Sequence, residues 1–67
     1  MPPFIVQYLC PSQGWFWQGP QNGRPFLNFY SACRFADAIK PGRGWARVLD
    51  GRGQRVYPAI LPAGLPA

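Results

Sequence analysis

Trp45-Ala46-Arg47-Val48-Leu49-Asp50-Gly51-Arg52-Gly53-Gln54-Arg55-Val56-Tyr57 is the stretch whose reading decides how this chain folds. Two short β-prone runs flank Asp50-Gly51-Arg52-Gly53, which has Asp and Gly where a type I turn favours them. The stretch reads as a C-terminal β-hairpin with Gly53 in the left-handed conformation of a G1 bulge. That register sets Asp50 near Gln54, Val48 near Val56, and Arg47 near Tyr57. Ala46, Val48 and Val56 then form an apolar face for a covering helix, while Arg47, Leu49, Arg55 and Tyr57 form a basic and aromatic one. A two-residue loop on Gly51-Arg52 would pair Val48 with Arg55 and mix the two faces, which argues against it.

Working outward, the residues before the hairpin predict a short helix. Ala32, Phe35, Ala36 and Ile39 recur at helical spacing, and Ser31 is a good N-cap for a helix of about nine residues. Arg34, Asp37 and Lys40 fall on the wet face, where Asp37 can pair with either base. Pro41-Gly42 ends the helix, because a residue before proline is pushed out of helical geometry. So short a helix must pack its apolar stripe on the sheet, with Phe35 and Ile39 in the core.

Nearer the N-terminus, Phe4-Ile5-Val6-Gln7-Tyr8-Leu9 lies between Pro3 and Pro11 and reads as a strand. Trp15-Phe16-Trp17-Gln18 follows a turn-like Pro11-Ser12-Gln13-Gly14 and reads as a second strand, antiparallel to the first. Residues 19–25 are a loop, marked by Asn22-Gly23. Residues 26–30 are ambiguous between a short strand and an extended lead into the helix. The expected fold class is α+β: a small antiparallel sheet of four strands, or five if residues 26–30 pair. A single short helix covers one face, and the C-terminal β-hairpin closes the sheet. Residues 1–57 form the expected compact domain. Residues 58–67, with Pro-Ala recurring, form an extended Pro-rich tail. Its Ile60 and Leu61 are expected to fold back over an open edge of the core, in preference to the tail serving as a ligand for an aromatic groove.

Size and charge bound the function. A chain of 67 residues lies near the lower limit for independent folding, and three Trp, three Tyr and five Phe supply large side chains to compensate. Seven basic residues against two acidic ones give a net charge of +5, which suits an anionic partner. All the basic residues but Lys40 are arginine, suited to bidentate and stacking contacts. The abundance of Gly, Ala and Pro points to GC-rich coding, which also enriches arginine.

Catalysis finds little to work with. The chain has no His, and its only acidic side chains are Asp37 and Asp50. General acid–base chemistry usually recruits His or a tuned carboxylate pair. Ser12, Ser31, Cys10 and Cys33 have no histidine to activate them. Two Cys and two distant Asp make a poor metal set, and no phosphate-cradling glycine motif is present. No enzyme activity, cofactor or metal is expected, and no small-molecule substrate is evident. Met1-Pro2-Pro3 leads straight into an apolar strand without a basic leader, and no run is long enough to span a membrane. A cytoplasmic protein with free thiols is the expectation, although a bridge between Cys10 and Cys33 is geometrically allowed.

Three constellations are candidates for binding. Arg47, Arg55 and Tyr57, with Arg52 at the tip and Arg43 close by, combine charge with stacking surface. The plainer alternative is a solvated face whose arginine stems cover apolar surface. Gly42-Arg43-Gly44 and Gly51-Arg52-Gly53 look like RGG fragments but are better explained as turns. Gly23-Arg24-Pro25 lacks the flanking bases an AT-hook needs. Finally, Trp15 and Trp17 share one side of the second strand with Phe16 opposite, so one side needs the tail, the loop or a partner to cover it. The leading expectation is a non-catalytic basic module that contacts an acidic macromolecule, nucleic acid or protein. The alternative is a self-assembling or protein-interaction module, such as a homodimer, using Trp15 and Trp17. The layout loosely resembles that of small bacterial or phage proteins, a likeness of architecture that fixes no function.

Overall fold

In the computed structural model of the chain, residues 3–40, 42 and 44–60 are described. The elements are β1 (Ile5–Leu9), a single 3₁₀ turn (Pro11–Gln13), α1 (Phe29–Ile39), β2 (Trp45–Leu49) and β3 (Arg55–Tyr57). The three strands form one antiparallel sheet in the order β1-β2-β3. The α1 crossover between β1 and β2 packs on one face, so the architecture is α+β. The accessible surface, 4449 Å², is close to the ~4,200 Å² expected of a folded chain of this mass.

Fewer strands form than the sequence predicts. Residues 15–18 do not make a strand: only Gln18 pairs, in an isolated bridge to Tyr8. Phe26 likewise makes one bridge, to Phe4, and the residues after it turn into the helix. Between these bridges the Gln21 amide donates to the Val6 carbonyl at 3.0 Å. The loop therefore satisfies the outer edge of β1 at three points without becoming regular strand, which also shields that edge from strange partners. Gly19-Pro20 lies in the middle of this segment, and proline has no N–H to give a ladder. Gly19, at φ +154°, runs so close to β1 that a Cβ there would meet the Val6 carbonyl oxygen at 2.7 Å.

The helix starts earlier than Ser31. Asn28 is the N-cap, and its side chain accepts a hydrogen bond from the Ser31 amide at 3.0 Å. Asn caps as well as Ser does, and here Asn28 takes the cap while Ser31 lies inside the first turn and donates its amide to it. Phe29 and Tyr30 thereby enter the first turn, and the Phe29 ring packs against Phe4 with centroids 5.5 Å apart. At the other end Lys40 is the C-cap in extended conformation, as a residue before proline must be.

The core lies between α1 and the sheet. Val6, Ala32, Ala36 and Val48 are fully buried there, joined by Phe4 and Ala46. Phe35 and Ile39 pack against this cluster half-buried. The small alanines let the helix sit low on β1 and β2, and the larger side chains seal its flanks. Asp37 does not pair with Arg34 or Lys40. It accepts from the Tyr57 hydroxyl instead.

That contact exposes a register difference. The β2–β3 turn forms as read: Gly53 has φ +80°, its amide donates to the Asp50 carbonyl at 3.0 Å, and Asp50 N–H reaches the Gln54 carbonyl. Leu49 then pairs with Arg55, but Val48 pairs with Tyr57 across a bulge. The expected pairs Val48–Val56 and Arg47–Tyr57 are therefore shifted by one residue. A one-residue slip moves a side chain to the opposite face. Tyr57 accordingly joins Val48 on the helix side, while Val56 is half-buried against the core. Of the Pro-rich tail, residues 61–67 lie outside the described residues, and Ile60 is exposed rather than folded over the core.

Candidate nucleic-acid interface

The face of the sheet opposite α1 collects the residues that could bind. Strand alternation places Ile5, Gln7 and Leu9 there from β1, and Trp45, Arg47 and Leu49 from β2. The pairing aligns them as Ile5 with Leu49, Gln7 with Arg47, and Leu9 with Trp45. Arg55 arrives opposite Leu49. Leu9 is fully buried yet stands outside the helix-side core cluster, so this face carries a seam of its own.

Arg47 is the centre of the arrangement. Its guanidinium carbon sits 4.2 Å from the centroid of the Trp17 ring, and its Nε donates to Gln7 Oε1 at 2.8 Å. The tryptophan holds the cation by cation–π attraction and the glutamine fixes its rotation. Partial burial, and then the positive charge of Arg55, both work against the charged form of Arg47. An arginine stays protonated under such pressure. Arg55 is exposed, and its guanidinium also donates to the Pro58 carbonyl.

Among the described residues, no carboxylate balances these two arginines. The chain has only two acidic side chains. Asp37 is on the helix side with Tyr57. Asp50 is turned into its own turn, where Oδ1 accepts from the Arg52 amide at 2.8 Å and the Gln54 amide at 3.0 Å. The hydrogen bond from Gln54 is the main cause that holds the Asp50 carboxyl below the ordinary carboxylate range. Among the described residues, Arg47 and Arg55 thus share a face without an anionic partner.

The expected site residues divide accordingly. Arg47 and Arg55 come together on one face with Trp17, and Arg52 lies exposed at the turn beyond them. Tyr57 leaves the group, because the bulge turns it to the helix side. Trp15 and Trp17 do not act as a pair: Trp17 is half-buried beneath Arg47, whereas Trp15 and Phe16 are exposed. Arg43 lies outside the described residues. Gln7 and Trp45 were not singled out from sequence. Gln7 meets Arg47 across forty positions of chain, a pairing that only the register of β1 on β2 reveals.

Cys10 and Cys33 are free thiols. Burial, and secondarily the charge of Asp37, push the Cys33 thiol up, away from reactive thiolate. Among the described residues no three metal-ligating side chains cluster, and no helix is long and apolar enough to cross a membrane. No protein-family model matches the chain, and neither the curated proteins nor the solved structures include a match to it.

Proposed function

We propose that this protein is a small, non-catalytic binding module whose open sheet face contacts an acidic macromolecule, and that nucleic acid is the class it fits best. The observation that carries this reading is the Arg47–Arg55 pair, uncompensated among the described residues, with Arg47 held in place by Trp17 and Gln7. A cation fixed by a ring and a hydrogen bond loses little entropy on meeting a phosphate. Tryptophan beside arginine is also the pairing that proteins use to take up both backbone charge and base surface. Catalysis lacks a base: there is no His, and both aspartates are engaged in structure. An electrophoretic shift of labelled oligonucleotides at low salt tests the reading. A complex that Arg47→Ala weakens supports it, and no shift at all removes it.

A second reading, self-association, is favoured by Leu27 and Tyr30, just before and at the start of α1, which are 81% and 68% exposed. Sedimentation over a range of concentrations tests it. A strict monomer excludes it.

A further inference from the structure

We propose that the partner is single-stranded rather than duplex nucleic acid, with bases stacking on Trp15 and Phe16 while Arg47, Arg55 and Arg52 take phosphates. This rests on the nucleic-acid reading above and specifies its substrate class. Trp15 and Phe16 leave 59% and 58% of their surface exposed. They immediately precede Trp17, so their Cα atoms lie within about 7.6 Å of the Cα of the residue whose ring carries Arg47. The proposed surface joins these two exposed rings, next in sequence to the one under Arg47, to the arginines: apolar at one end, positive along the rest. Its charged part runs from Arg47 in β2 to Arg55 in β3 and on to Arg52 at the turn.

Chemistry distinguishes the two kinds of nucleic acid. A duplex offers phosphates and base edges but hides the faces of its bases in the stack. Exposed indole and phenyl rings reach those faces only by wedging base steps apart, which costs unstacking energy at each step. A single strand presents both, and its bases stack on aromatic rings and on guanidinium planes. The dimensions agree as well. Strands of five residues extend about 17 Å, room for a few nucleotides but too short for the multi-groove contacts of a duplex reader. With three arginines available, phosphate contacts alone would make a weak site, so stacking must supply the remainder.

The test compares three probes on the full chain at about 50 mM salt: a mixed-sequence single strand of about 12 nucleotides, its duplex, and an abasic strand of equal length. The single strand is expected to bind at least about tenfold more tightly than the other two. Removing both rings, as Trp15→Ala with Phe16→Ala, is expected to cost about 5- to 150-fold per stacked base for the single strand and nothing for the duplex. Circular dichroism checks that the double variant is folded, and the abasic strand asks the same question of the unaltered protein. Equal binding of the single strand and the abasic strand overturns the inference while leaving the nucleic-acid reading intact, as does a preference for duplex. Failure of every probe to bind removes that reading too. A concentration-dependent mass that the double variant abolishes, with binding unchanged, assigns the rings to self-association and overturns the inference.

Discussion

The Tyr57 hydroxyl donates to both carboxylate oxygens of Asp37, at 2.8 and 3.0 Å, and so ties the last strand to the helix. Asp37 is thereby engaged on the helix side, across the sheet from Arg47 and Arg55. Tyr57→Phe deletes the hydroxyl and keeps the ring. With the pair near the surface, the expected loss is about 1 kcal/mol. That corresponds to a Tm about 4–8 °C lower for a domain of this size. Oligonucleotide affinity is expected to stay unchanged, because the pair lies on the opposite side of the sheet.

The pair also sets an alkaline limit. The hydrogen bond to Asp37 is the main cause that raises the Tyr57 hydroxyl above its ordinary value. A group with a raised folded pKa contributes fully below its unfolded pKa and loses that contribution as pH climbs through the folded one. Thermal melts are therefore expected to show stability declining above about pH 10. That component of the decline is expected to vanish in Tyr57→Phe.

Asp50 sets a limit at the acid side. Its folded pKa is depressed, chiefly by the Gln54 amide and further by the Arg52 amide. Its contribution is present above the unfolded pKa of about 4 and disappears as pH falls through the folded value. Asp50→Ala should melt at a lower temperature than the parent chain at neutral pH. The gap is expected to close on acidification, which melts between about pH 2 and pH 7 would show.

Gly19→Ala tests the irregular edge beside β1. The added Cβ would meet Val6 O at 2.7 Å and Gln7 Cγ at 2.9 Å, at a φ that L-residues rarely adopt. A loss of about 1–3 kcal/mol is expected. Hydrogen exchange is expected to show the Gln21 and Tyr8 amides losing protection first, since both bond across this edge.

Local signals were legible: the Ala32/Ala36 stripe, the stop before Pro41, and the Asp50–Gly53 turn each follow from nearest neighbours. So was the placing of Arg47 and Arg55 on one face, because alternation and turn chemistry agree on it. Tyr57 was misplaced because a bulge at Val48/Leu49 costs little energy and leaves no mark in composition. The fourth strand failed for a related reason. Residues 18–26 satisfy β1 through scattered bonds, an outcome that β-propensity cannot distinguish from a ladder. Gln7 and Trp45 were missed because their role depends on a pairing remote in sequence.

The most direct measurement is the salt dependence of oligonucleotide affinity, for the parent chain and for Arg55→Ala. Three arginines on phosphates of a single strand imply a slope of log K against log salt of about −2, and thus roughly a 20-fold loss between 50 and 200 mM. Removing Arg55 is expected to flatten the slope by about 0.7. An affinity unmoved by salt, or a slope that Arg55→Ala leaves intact, would contradict the assignment of this face to a nucleic-acid backbone.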